Sequence, residues 1–266
     1  MKYYDYHCHS NISFDGRTPI AEICASVIKA GGSGVTFTEH IECAQDFPHG
    51  GLLDWQQYHS EIEQARKMFP DFSVGMGVEA GWQPLMQPQT EAAVKAGNYD
   101  FVLGSLHYID DLPIYNGAFS EGKTLKQAYS EYFAVLLAAV SEMVDFDVLA
   151  HIDLIRRDEQ LPKVDFIYND YADYLDPLLK QLIERGKGLE VNTGGWRCGC
   201  YEPHPAPEIL RRYRKLGGEI ITCGSDSHVP RSLFYRIKDA YGLIEEAGFK
   251  YISLFEHRQL KQVPFK

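Results

Sequence analysis

The chain has 266 residues, 45% of them hydrophobic and 24% charged, with a net charge of −11 at pH 7. That length accommodates one large α/β domain or two small ones, and the composition is ordinary for a soluble globular enzyme. So acidic a chain (pI ≈ 5.4) repels nucleic acid and anionic membranes at long range, so an anionic substrate must be drawn in by local cations or metal. The N-terminus lacks a basic segment followed by an apolar one, which predicts no signal peptide. The longest apolar run, Phe133 to Val140, is far too short to span a bilayer. Cys8, Cys24, Cys43, Cys198, Cys200 and Cys223 are scattered and are expected as free thiols of a cytoplasmic protein. No repeat, low-complexity tract or linker divides the chain, which reads as one domain, residues 1–266.

Strand-like and helix-like segments alternate. Tyr-rich Tyr3–Tyr6 is the first predicted strand and delivers His7-Cys8-His9. Two residues apart on a strand, His7 and His9 share a face, and Cys8 points the other way into the core. Thr18 is the expected N-cap of a helix over Pro19–Ala30, stopped at Gly31-Gly32. The β-branched run Gly34–Thr38 is the second strand and delivers Glu39-His40. A polar loop, Ile41 to Leu53, leads to a helix from about Asp54 to Met68. Phe72–Val78 is the third strand and ends at Glu79. A short helix over Gln89–Ala96 precedes the fourth strand, Tyr99–Gly104, which ends near His107.

Thr124 caps a long helix reaching about Val144. Phe146–Ala150 is the fifth strand and ends at His151. A helix over Asp170–Arg185 leads to the sixth strand, Gly188–Val191, with Glu190 inside it and Asn192 at its end. Pro207–Leu216 is a helix, and Glu219–Cys223 is the seventh strand, running into Gly224-Ser225-Asp226-Ser227-His228. A last helix, about Leu233 to Ala247, precedes a short terminal strand over Tyr251–Phe255. This alternation predicts a parallel sheet with right-handed crossovers. Candidate ligands at the end of nearly every strand select a closed barrel, where strand ends converge on one mouth. With about seven strands visible, the expected class is α/β, a distorted (β/α)7 TIM-like barrel.

His7, His9, His40, Glu79, His107, His151, Asp226 and His228 stand at those ends, with Asp15 in the loop after the first strand. Nitrogen and oxygen donors without an obligatory thiolate suit Zn, Mn or Fe. Nine donors are too many for one ion and fit two or three divalent ions, with Glu79 as the natural bridge. A two-metal clamp is standard apparatus for phosphate ester hydrolysis. Arg156, just beyond His151, and Arg197, just beyond Asn192-Thr193, are placed to grip a phosphate. Arg211, Arg212 and Arg214 read as a solvated helix face, and His49, His59 and His204 as surface residues.

The motifs His7-Cys8-His9-Ser10, Thr38-Glu39-His40, Gly77-Val78-Glu79, Gly104-Ser105-Leu106-His107, Ala150-His151-Ile152-Asp153-Leu154 and Gly224-Ser225-Asp226-Ser227-His228 together resemble the PHP (polymerase and histidinol phosphatase) superfamily. The segments Ile152–Arg157, Glu190–Thr193 and Pro207–Asp226 are similar to its histidinol-phosphatase branch. The resemblance implies a distorted (β/α)7 barrel with a trinuclear metal site. His7, His9, Glu79 and Asp226 would hold one ion. Glu79 would bridge to a second, held by His107 and His151, and His40 and His228 would hold a third, with Asp15 where some members place a His. It further implies a phosphomonoesterase acting on L-histidinol phosphate in histidine biosynthesis, by attack of a metal-bridging hydroxide on phosphorus. Asp226 and His228 are then candidates to supply the leaving-group proton, and Glu42, Asp110 and Tyr115 to meet the imidazole and ammonium.

Other readings are a PHP-type phosphoesterase acting on another small phosphate ester or nucleotide, an amidohydrolase-type barrel, or a metal-binding protein without catalysis. The absence of a basic groove counts against a DNA substrate. Tyr99–His107 offers no Lys of the kind that bridges metals in amidohydrolase barrels. The partner expected is thus a small phosphorylated molecule, not nucleic acid or membrane; the oligomeric state is not legible.

Overall fold

The computed structural model describes residues 1–43, 53–83, 86–143 and 145–265. The expected loop over Ile41 to Leu53 therefore lies mostly outside the described residues, as do His49 and the Val144 end of the long helix.

Seven parallel strands form the frame: β1 (Tyr4–Cys8), β2 (Gly34–Glu42), β3 (Ser73–Gly81), β4 (Phe101–Ser105), β7 (Val148–Leu149), β8 (Gly188–Asn192) and β9 (Ile221–Gly224), hydrogen-bonded in that order. The sheet closes on itself just beyond β9. Cys8 bridges Ser227 in parallel, the Asp226 amide donates to the His7 carbonyl at 2.7 Å, and the His9 amide to the Ser227 carbonyl at 2.9 Å. Helices α1 (Ile20–Lys29), α2 (Trp55–Met68), α3 (Gln87–Lys95), α4 (Leu125–Glu142), α5 (Ala172–Glu184), α6 (Pro207–Lys215) and α7 (Ile237–Glu246) alternate with the strands. β1, β4, β8 and β9 are buried at every position, because barrel strands are covered on one face by helices and on the other by the interior. Among the described residues, no helix is long and apolar enough to cross a membrane.

Local chemistry sets the boundaries. Asp54 accepts from the Gln57 amide at the start of α2. Thr124 and Gln127 form a reciprocal capping box on α4. At α1 the cap is Pro19, without a side-chain bond, rather than Thr18.

Two hairpins were not foreseen. β5 (Tyr108–Ile109) and β6 (Leu112–Pro113) turn through Asp110 and Asp111, both at positive φ. β10 (Tyr251–Glu256) and β11 (Gln259–Pro264) turn through His257 and Arg258, again both at positive φ, as a two-residue hairpin loop demands. This C-terminal hairpin covers the end of the barrel opposite the ligands. Tyr6 Oη donates to the Phe255 carbonyl and accepts from the Phe255 amide, the Phe101 and Phe255 rings lie 5.1 Å apart, and Arg258 Nε sits 2.6 Å from Asp147 Oδ2. The other end, where strands deliver their C-termini, is left as the open mouth.

Candidate metal centre

The mouth is a cavity of about 630 Å³. Its floor is a cluster of imidazoles and carboxylates, of which His7, His9, Glu79, His151 and Asp226 are at most 5% exposed. β1 delivers His7 and His9, and β2 delivers His40. β3 carries Glu79, the loop after β4 His107, the second residue beyond β7 His151, and the segment after β9 Asp226 and His228. Close approach of the last segment to β1 requires Gly224, since a Cβ there would lie 2.1 Å from His7 Cβ.

Glu79 is the hub. Its Oε1 lies 3.0 Å from His107 Nε2 and 2.8 Å from His151 Nε2. Its Oε2 lies 3.2 Å from His7 Nε2, 3.5 Å from His9 Nε2 and 3.3 Å from His40 Nδ1. One carboxylate thus separates two sets of histidines. Burial alone would raise the Glu79 carboxyl, but the imidazoles of His7, His107 and His151 hold it well below the usual carboxylate range. Asp226 behaves alike: burial opposes ionisation, and Arg157 and His7 overcome it. Asp226 Oδ1 faces His7 and His9 at 3.5 and 3.6 Å, while Arg157 grips Oδ2 at 2.7 Å. Asp15 reaches His40 at 3.5 Å and His228 at 3.2 Å, so all nine expected donors are brought to one floor.

Three ring-nitrogen pairs face each other: His7 and His9 Nε2 at 3.0 Å, His40 and His228 Nε2 at 3.3 Å, and His107 and His151 Nε2 at 3.4 Å. Three of the outer nitrogens have acceptors. Glu190 Oε1 sits 2.6 Å from His7 Nδ1, Glu42 Oε2 2.7 Å from His107 Nδ1, and the Asp226 carbonyl 3.2 Å from His228 Nδ1. With ions bound, these partners would keep the ring protons outside, so that the facing nitrogens and the carboxylate oxygens present their lone pairs to one shared space. Such an arrangement is repulsive by itself and matched to cations. Among the described residues, four overlapping trios have donor atoms within 4.8 Å of one another: His7-His9-Asp226, His7-Glu79-His151, His9-His40-His228 and His40-Glu42-His107. The donor set therefore fits bound divalent ions.

The arginines divide differently than expected. Arg197 lines the cavity, its guanidinium held by the Ser225 and Asp226 carbonyls at 2.7 and 2.8 Å. Arg156 does not line it. It turns outward to Asp153 at 3.1 Å and Glu202 at 2.7 Å, and Arg157 takes the place at the cavity expected of Arg156. Both arginines sit in the short 3₁₀ helix Leu154–Arg157, where consecutive side chains diverge by about 120°. His204 is also misplaced by the surface reading. It is fully buried, with Nδ1 2.8 Å from Asp153 Oδ1, whereas His59 is exposed.

Glu190, Glu42 and Arg157 were not singled out as parts of the metal or phosphate machinery. Their signals were a carboxylate inside an apolar strand and a Glu two residues beyond His40 on the same strand face. Of the suggested leaving-group contacts, Glu42 is committed to His107 and Asp110 lies in the hairpin turn. Tyr115 lines the rim with Phe14, Tyr108 and Glu159.

The PHP domain family model matches residues 5–194. The probable histidinol-phosphatase of Clostridium acetobutylicum is 31% identical over 97% of this chain and 98% of its own. The histidinol-phosphatase of Lactococcus lactis is 28% identical over 96% of this chain and 95% of its own. The crystal structure of histidinol phosphate phosphatase from Lactococcus lactis, complexed with zinc, L-histidinol and phosphate, superposes with a TM-score of 0.87, covering 98% of this chain and 99% of that one at 28% identity. The crystal structure of a putative histidinol phosphatase from Listeria monocytogenes shares the fold, with a TM-score of 0.73 at 18% identity over 86% of this chain and 97% of that one. With motifs, barrel and donor cluster in agreement, the chain belongs to the PHP-domain family, on its histidinol-phosphatase branch.

Proposed function

We propose that this chain is a cytoplasmic, single-domain, metal-dependent phosphomonoesterase that hydrolyses L-histidinol phosphate to L-histidinol and phosphate. The observation that carries the reading is Glu79, with one oxygen toward His107 and His151 and the other toward His7, His9 and His40, on a floor shared with Arg157 and Arg197. His7, His9 and Asp226 would hold one ion, His107 and His151 a second, and His40, His228 and Asp15 a third, with Glu79 between them. Zinc is the first candidate, since the similar Lactococcus lactis enzyme was solved with it. When bound, divalent ions supply Lewis acidity toward phosphoryl oxygens and lower the pKa of a water nucleophile.

The chain's own residues do the rest. Arg157 and Arg197 put two fixed positive charges beside the floor, so the developing charge of an in-line displacement is met without reorganisation. Glu190 and Glu42 hold imidazole protons away from the ions. Asp226, kept ionised by Arg157, suits ligation rather than proton donation. His228, with Nδ1 held on the Asp226 carbonyl and Nε2 toward His40 and Asp15, likewise suits ligation rather than proton donation. The rim of Phe14, Tyr108 and Tyr115 offers aromatic faces to an imidazole, and Glu159 a carboxylate to an ammonium.

The test is phosphate release by the zinc-loaded protein from L-histidinol phosphate and from phenyl phosphate. A kcat/KM at least a hundredfold higher for histidinol phosphate is expected. Equal values would refute the substrate while leaving the esterase class, and no metal-dependent release from either would refute both.

A further inference from the structure

Glu39 is fully buried beside the cluster yet faces none of the ring nitrogens that converge there. Its carboxylate accepts from the Ser10 amide at 3.1 Å and hydroxyl at 2.6 Å, and from the Ser13 amide at 3.1 Å and hydroxyl at 2.5 Å. Ser13 Oγ, in turn, accepts from the His40 amide at 3.1 Å and lies 3.4 Å from His9 Nδ1. A hydroxyl has one proton. The shorter and charge-assisted bond to Glu39 takes it, so toward His9 the oxygen can only accept. His9 must then carry its proton on Nδ1 and present Nε2 to the floor. The same carboxylate ties down the loop that carries Asp15. That loop is wound tightly, the Ser13 amide donating to the Ser10 carbonyl and the Gly16 amide to the Ser13 carbonyl. A Cβ at Gly16 would lie 1.7 Å from the Ser10 carbonyl oxygen.

We propose that Glu39 and Ser13 form a positioning relay that presets His40 and the Asp15 loop for the ion held by His40, His228 and Asp15, and fixes in the same tautomer His9, whose ligand atom also lies within reach of His40 and His228. Ser13 plays for His9 the part that Glu190 plays for His7 and Glu42 for His107, but through a hydroxyl, which also fixes the neighbouring loop and the β2 backbone at His40. The relay rests on the three-ion reading above. Its consequence is graded: loss of the hydroxyl most loosens the ion at this corner, where His40 and the Asp15 loop both lose their anchor, touches the His7 ion only through His9, and leaves the ion at His107 and His151.

The experiment is the zinc content of the full chain after loading and dialysis, measured by mass spectrometry for wild type, Ser13→Ala and Ser13→Thr, with melting of the chelated forms alongside. Wild type should keep three equivalents and Ser13→Ala two, its third ion bound roughly ten- to a hundredfold more weakly, as expected for an outer hydrogen-bond partner of a ligand. Ser13→Thr, which restores the hydroxyl, should regain the third ion and melt with chelated wild type, whereas chelated Ser13→Ala should melt a few degrees lower, since the His40 amide loses its acceptor. Three tightly held ions in Ser13→Ala would overturn the relay. So would a chelated Ser13→Ala that melts far below chelated wild type yet reloads fully, since that marks a purely structural serine. A wild-type chain that holds only two ions would overturn the three-ion reading itself.

Discussion

Replacing Glu190 by Gln changes one oxygen to an NH2 group and preserves shape, yet the structure leaves the amide no acceptable orientation. Glu190 is fully buried. Its Oε1 faces His7 Nδ1 at 2.6 Å, and its Oε2 accepts from the His151 amide at 2.9 Å and from Asn192 Nδ2 at 3.1 Å. If the Gln oxygen faces His7, its NH2 confronts two donors: the His151 amide is left buried without an acceptor, at a cost of about 1–3 kcal/mol, and Asn192 Nδ2 keeps only Asp226 Oδ2 at 3.3 Å. If the NH2 faces His7 instead, Nδ1 must become the acceptor, and the ring proton moves to Nε2, the atom pointed at His9 and Glu79. The first orientation lowers the melting temperature of the metal-free chain; the second lowers metal affinity, by roughly ten- to a hundredfold for a ligand's outer partner. Zinc competition against a chromophoric chelator, paired with melting of the chelated protein, reads both. Glu190→Gln with wild-type zinc affinity and wild-type melting would refute the claim that Glu190 sets the His7 tautomer.

Other outcomes follow from the same geometry. Arg157→Ala should raise KM for phosphate esters at least tenfold and lower kcat, because it removes a cavity cation and frees Asp226. Arg156→Ala should leave KM unchanged but lower the melting temperature, since it takes the guanidinium from the buried Asp153, which keeps only the His204 ring and the Ala206 amide, a loss of about 1–3 kcal/mol; kinetics and melting on both variants separate them. Glu159→Gln should raise KM for L-histidinol phosphate about tenfold, within the range of a charge-assisted hydrogen bond, and leave phenyl phosphate unaffected. Glu159 has no ion-pair partner among the described residues, so equal effects on both esters would remove it from leaving-group recognition. Burial pushes His204 down to about 4 against the pull of Asp153. A histidine held neutral stabilises fully above its unfolded pKa of about 6.5, and that contribution is lost as pH falls toward 4. Melting of the chelated wild type should therefore decline across that window more steeply than that of His204→Asn, and parallel curves would contradict it.

The barrel and the donor floor were legible because their signals are local. A strand ending in His-x-His or Glu-His announces itself within a few residues, and the order of such endings implies convergence once the sheet closes. The orienting residues were not legible for the opposite reason. Glu190 meets His7 across 183 positions, and Glu42 meets His107 across 65, so only the fold pairs them. The choice between Arg156 and Arg157 turned on one step of a 3₁₀ helix, which no periodicity in the sequence marks. His204 looked like a surface residue because its burial depends on Asp153, 51 positions away. The terminal hairpin escaped because His257 and Arg258 take the positive φ angles that Asn-Gly would have signalled.

The most direct measurement of the central claim is turnover of L-histidinol phosphate by Glu79→Gln, with bound zinc counted in the same preparation. Gln keeps the volume but offers one ligand oxygen where the ions of two histidine sets would need two. Loss of kcat by at least about a thousandfold, within the reach of metal-site catalysis, together with fewer bound ions, is the expected result. A Glu79→Gln chain that keeps its full complement of zinc and the wild-type rate would contradict the assignment of Glu79 as the bridge on which the site is built.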